Sequence, residues 1–120
     1  MLFKRTLKWY KLFDSEMGAN AYVELGRVNS ITCGRKKICI ARTSKGLFAV
    51  NDKCPHNGAS LSNGYCTELG TVVCPLHRYH FDLETGRAKS GIGDYVETYP
   101  IEIRDDGVYI GFEEIAWNLF

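Results

Sequence analysis

The stretch Cys54-Pro55-His56, followed after seventeen residues by Cys74-Pro75-Leu76-His77, decides how the rest of the chain is read. As a pattern it is C-x-H, a long gap, then C-x-x-H. Each arm offers one thiolate and one imidazole. A proline after each cysteine stiffens the loop and withdraws a backbone donor. Two sulfur and two nitrogen ligands can serve a tetrahedral zinc ion or a two-iron cluster. Zinc sites of this composition usually pair cysteine with cysteine and histidine with histidine. Here both knuckles are mixed, an order that suits one iron held by two cysteines and a second held by two histidines. Cys54, His56, Cys74 and His77 are therefore the candidate metal and cofactor ligands, with a structural zinc module for protein interaction as the competing reading.

Exchanging two thiolates for neutral imidazoles removes two negative charges from a two-iron, two-sulfide core. An electron is then easier to add, and the potential rises well above that of an all-cysteine cluster. Each ligating histidine also keeps a second ring nitrogen. An oxidised iron draws charge from the ring and lowers its N–H pKa, so reduction and proton uptake become linked at alkaline pH. The chemistry implied is one-electron transfer, with no catalytic residue.

The remaining composition narrows the class. A length of 120 residues predicts one domain, 1–120, with a core of ordinary size. Lys plus Arg number 15 against 14 Asp plus Glu, which gives no electrostatic footprint for nucleic acid or an anionic membrane. The N-terminus Met1-Leu2-Phe3-Lys4-Arg5-Thr6-Leu7-Lys8 has no unbroken apolar run, so neither a signal peptide nor a membrane span is expected, and the location expected is cytoplasmic. Five cysteines fit that location. Two are claimed by the site, and the odd remainder Cys33, Cys39 and Cys66 argues against a disulfide framework.

Short β-branched and aromatic runs recur between Gly, Asn and Asp breaks, and no segment sustains helical periodicity. The chain predicts strands at Trp9–Phe13 and Ala21–Leu25, with Asp14–Asn20 as a turn or at most one helical turn between them. Gly26–Gly34 reads as loop. Lys36–Thr43 reads as a strand with Ile38 and Ile40 on one face and Cys39 and Ala41 on the other, turning at Ser44-Lys45-Gly46 into Leu47–Val50. Leu61 is expected to fill a small local core, and Thr71–Val73 to deliver Cys74. His80–Leu83 and Arg87-Ala88 form a hairpin around Glu84-Thr85-Gly86, and Ser90–Asp94 is a loop. Val96–Arg104 and Val108–Phe112 pair across Asp105-Asp106-Gly107. The apolar tail after Glu113 is expected to pack on the body or on a partner. Tyr95, Tyr99, Tyr109 and Phe112 read as sheet packing. The expectation is an all-β antiparallel scaffold with an inserted, loop-built cluster-binding subdomain at about 54–88.

The segments CPHNGASLSNG and CPLHRYHFDLETG resemble the Rieske [2Fe–2S] ferredoxin family, sharply in the cluster segment and in outline from Trp9 to Phe112. The resemblance implies one [2Fe–2S] cluster per chain on Cys54, His56, Cys74 and His77. It also implies a soluble electron carrier passing electrons between a reductase and an oxygenase, or the similar small subunit of an assimilatory nitrite reductase working with its large subunit. The respiratory branch of the family has an extra cysteine in each loop, where this chain has Ala59 and Leu76. That branch also has serine and tyrosine hydroxyls bonding the sulfurs, where this chain has Tyr79 and Phe81. Fewer donors leave the reduced cluster less stabilised, so the potential is expected near the low end of the Rieske range, roughly −150 mV. Relatives often carry prolines in the cluster-covering loop, where this chain has Ser90-Gly91-Ile92-Gly93-Asp94. An oxygenase would need a second iron on two further histidines and a carboxylate. Only His80 remains, and it reads as an ordinary turn or strand residue.

Overall fold

Residues 2–89 and 93–118 are described by the computed structural model, and among them ten strands and one α-helix form three antiparallel sheets. The first sheet has the order β1 (Leu2–Phe13), β10 (Gly107–Asn118), β9 (Ile101–Arg104). In the second, the order is β2 (Val28–Cys33), β3 (Lys36–Thr43), β4 (Gly46–Asn51), β8 (Thr98–Tyr99). The third is small: β5 (Tyr65–Cys66), β6 (Thr71–Val73), β7 (His80–Asp82). The helix α1 spans Glu16–Tyr22.

The β3–β4 hairpin is the wall between two cores. Alternation sends Ile38, Ile40 and Ala49 to one side, where they meet Val23, Tyr99, Ile110 and Phe112. Cys39, Ala41 and Val50 go to the other, against Leu61, Val72, Phe81, Leu83, Val96 and both motif cysteines. Strands buried on both faces read as near-continuous apolar runs, as KKICIART does from Ile38. The motif thus sits on one face of the central sheet, and β1, β9 and β10 cover the other.

Several expectations hold within a residue or two: β3, β4 and β6, the turn at Glu84-Thr85-Gly86, and the β9–β10 hairpin with Arg104 opposite Gly107. Others are overturned. Asp14–Asn20 is no mere turn, and Ala21–Leu25 is no strand. Ser15 caps α1 by accepting the Gly18 N–H on its Oγ at 3.0 Å, and the helix runs on to Tyr22. The supposed loop Gly26–Gly34 contains β2. It lies at the sheet edge, where polar Asn29, Ser30 and Thr32 are tolerated beside water, and its pairing with β3 stabilises what its composition does not. Val96–Arg104 is not one strand either. Pro100 has no N–H to give a ladder, and the chain changes sheets there, β8 pairing β4 and β9 pairing β10. The tail from Glu113 continues β10, pairing Leu2 with Asn118 and lengthening β1 beyond the expected Trp9–Phe13; residues 119–120 lie outside the described residues. Tyr95 does not pack in a sheet; it is exposed, whereas Tyr99 and Phe112 stack edge-on at 5.1 Å.

One close approach fixes the small sheet to its own loop. A Cβ on Gly64 would lie 1.8 Å from the Val73 carbonyl oxygen, although its φ is ordinary. Gly64→Ala is expected to destabilise the protein by about 1–3 kcal/mol through overpacking. Gly70→Ala serves as comparison, because nothing lies within 4 Å of the added Cβ and the penalty there is only that of a positive φ. Thermal denaturation of the two variants should place Gly64→Ala lower.

Candidate metal centre

The two arms of the motif leave the small sheet and its loop in different ways. The first follows β4. Buried Asp52 accepts the Ser62 N–H on Oδ1 at 2.8 Å, and its other carboxylate oxygen lies 3.3 Å from Lys37 Nζ. Its backbone carbonyl takes the Leu61 N–H at 2.6 Å. Lys53 bridges Ser60, and the Cys54 N–H donates to the Ala59 carbonyl at 2.8 Å. The loop holding Cys54 and His56 is therefore closed upon itself, with Leu61 as its apolar plug.

The second arm follows β6. Thr71, Val72 and Val73 are all buried, so the strand leads Cys74 directly into the interior. The Cys74 N–H then donates to the Tyr79 carbonyl at 2.9 Å, closing a tight turn over Pro75–Arg78. That turn places His77 at φ 63° and Arg78 at φ 54°, left-handed values that non-glycine residues rarely adopt. Such conformations persist when surrounding structure over-determines them, and they cluster at functional loops.

The result separates the donors by element type. Cys54 and Cys74 are 1% and 0% exposed and belong to one core cluster. His56 and His77 are exposed, and their rings flank one side chain: the Tyr79 ring lies 4.3 Å from that of His56 and 6.4 Å from that of His77, centroid to centroid. Burial pushes the Cys54 thiol pKa up; the Asn57 and His56 backbone N–H groups oppose this, and the Cys74 thiol beside it raises it again. Among the described residues no three His, Cys, Asp or Glu side chains gather around a single point. Two buried thiols and two exposed imidazoles are a donor set that fits a two-iron cluster, one iron per donor type.

The other singled-out residues are placed as follows. His80 is exposed and bonded through Nδ1 to Thr71 Oγ1 at 3.2 Å. Cys39 and Cys66 are buried in the core beside the motif cysteines, with burial pushing both thiols up; Cys33 is half-buried, and burial raises it too. Arg78 is exposed at the rim. Phe81 is fully buried and brings no hydroxyl. Asp105 and Asp106 are turn residues, Asp106 accepting the Tyr109 hydroxyl at 2.8 Å. The loop expected at Ser90–Asp94 lies outside the described residues at 90–92.

Two contributors escaped the sequence reading. The Asn57 amide lies 3.6 Å from Cys74 Sγ, and its Oδ1 accepts the Ala59 N–H at 2.9 Å. Asp94 places Oδ2 3.5 Å from His56 Nδ1. The Asn57-Gly58 pair is a turn signal that marks the first; nothing local marks the second, which is contributed from thirty-eight residues away in sequence.

Residues 9–100 match the family model for the Rieske [2Fe-2S] domain. Over 69 residues the chain is 44% identical to the 3-phenylpropionate/cinnamic acid dioxygenase ferredoxin subunit of Photorhabdus laumondii, covering 57% of this chain and 66% of that one, so slightly less than two thirds of the relative is spanned. Among solved structures, the Sphingomonas yanoikuyae B1 ferredoxin matches at a TM-score of 0.69 and 27% identity, over 84% of this chain and 97% of that one. A Mycobacterium tuberculosis structure, assigned as an NADH-dependent nitrite reductase small subunit, matches at 0.75 and 19% identity, over 89% and 96%, a likeness of fold alone.

Two outcomes are expected of this region. Arg78→Gly relieves a left-handed backbone and should stabilise the protein by up to about 1 kcal/mol in denaturant melts, because glycine adopts that φ without strain but loses more freedom on folding. In the hairpin after β7, the Thr85 N–H on Asp82 lowers its carboxyl pKa most; burial opposes, and Glu84 N–H and Lys89 add to the lowering. A folded pKa below the unfolded one gives stability that is full above the unfolded carboxylate value, about 3.9, and is lost as pH falls through the folded value. Asp82→Asn should accordingly flatten the loss of thermal stability below about pH 4.

Proposed function

Since the chain belongs to the Rieske [2Fe–2S] domain family, we propose that Cys54 and Cys74 hold one iron of its [2Fe–2S] cluster, that His56 and His77 hold the other, and that the protein is a one-electron carrier. The observation that carries this reading is the division of the candidate donors, two thiols buried in one core and two imidazoles exposed near Tyr79. When bound, the cluster supplies a one-electron couple. The chain's own part is to bury the sulfurs away from water, to offer the Asn57 amide near Cys74 Sγ, and to bring the imidazole side to the surface where a partner can approach.

The carrier reading extends to its partners. The 44% relative is the ferredoxin subunit of a dioxygenase, which favours a carrier between a reductase and an aromatic-ring oxygenase over a catalyst in its own right. Nothing in the histidine count allows a second two-histidine iron centre in this sequence. A nitrite reductase role rests on likeness of fold. We read 1–120 as one such domain, with 54–88 as its cluster-binding part. A cytoplasmic location belongs to the same proposal and rests on five cysteines, none of them in a disulfide. Among the described residues no helix is long and apolar enough to cross a membrane.

Anaerobically purified protein should contain two irons and two sulfides per chain and give a rhombic EPR signal on reduction. His77→Ala is expected to lose the cluster, with iron content falling several-fold, while His80→Ala keeps both the metal and the spectrum. A colourless protein containing zinc without sulfide would overturn the carrier reading, and bleaching by His80→Ala would overturn the ligand assignment.

A further inference from the structure

One charged side chain outside the four donors reaches one of them. Asp94 Oδ2 lies 3.5 Å from His56 Nδ1, with 44% and 43% of the two side chains exposed. The carboxylate is held there by its backbone rather than by chance on a free loop. The Ala88 N–H donates to the Asp94 carbonyl at 3.0 Å, and Tyr95 bridges Arg87 in antiparallel fashion. Those anchors tie Asp94 to the strand segment that also pairs with β7 through Ala88 and Phe81.

We propose that Asp94 is a positioning residue for charge, which holds a negative group against the His56 imidazole and lowers the reduction potential of the cluster. The inference rests on the proposed function, in which His56 is an iron ligand. Reduction adds negative charge to a centre that shares electron density with the imidazole. A fixed carboxylate beside that ring stabilises the more positive, oxidised form and opposes the added electron. At 3.5 Å the contact is too long for a strong hydrogen bond, so the carboxylate acts through its charge. The site is partly exposed, so salt should weaken the effect. Asp94 therefore acts in the same direction as the lack of a hydroxyl at Phe81: both favour a carrier that gives its electron up readily.

The test is redox titration of the purified, cluster-loaded protein, followed by its visible spectrum and by EPR. Asp94→Asn should retain the wild-type spectrum and shift the midpoint potential upward. Asp94→Lys should shift it further the same way, and Asp94→Glu should restore a near-wild-type value. The gap between wild type and Asp94→Asn should narrow from low to high salt. An unchanged midpoint in Asp94→Asn with the cluster intact overturns the proposal, and so does an equal shift in Asp94→Asn and Asp94→Glu, which would point to loop packing instead of charge. Loss of the cluster from both Asp94→Asn and Asp94→Ser also overturns it, because the residue would then be a structural support. These outcomes are distinct from failure of the ligand assignment, which would show as an iron-sulfur spectrum surviving in His56→Ala.

Discussion

Two cysteine side chains buried in one core are the constraint on which this structure turns. Thiol side chains are themselves well suited to burial, but their ionised forms repel and lose hydration. The fold brings Cys54 and Cys74 together from separate directions. One comes from a loop locked by Asp52, Ser62 and Ala59, the other from a strand whose three residues are all buried. Two buried cysteines on such supports are a donor pair that a metal centre can use.

The architecture around the thiols follows from that requirement. The core that receives them is built on one face of the β3–β4 hairpin, and the second core on its other face anchors the hairpin against β9 and β10. The rigid side of the site is strand, and the exposed side is turn. Left-handed backbone at His77 and Arg78 belongs to the turn, where it swings one imidazole outward immediately after its cysteine has gone inward. Tyr79, half-buried, lies near both rings, closer to that of His56 than to that of His77. Insulated sulfur and surface-facing imidazole give one site a low-dielectric interior and a short path to a partner.

Charge near the site is as much a product of folding as its donors are. Asp52 is nearly inaccessible and works through hydrogen bonds and Lys37, so its role is to hold a loop. Asp94 has a half-exposed carboxylate beside a donor ring, so its role is electrostatic. The same residue type does two different things two and thirty-eight positions from the motif's first arm, and burial is what tells them apart.

By itself, the sequence determined the family and singled out the four side chains proposed as donors, because C-x-H and C-x-x-H with their prolines are local patterns legible without the rest of the chain. It also determined β3, β4 and β6, where apolar residues alternate or run together between turn residues. The tertiary structure alone decided the remainder. The edge strand β2 exists because β3 offers it a ladder, and β1 and β10 extend because each supplies the other's hydrogen bonds. Pro100 separates two sheets that one apolar run had seemed to join, and Asp94 meets His56 only after the chain has crossed the small sheet. The physical reason is common to all of these: pairing and Coulomb contact depend on distance in space, which local composition does not encode.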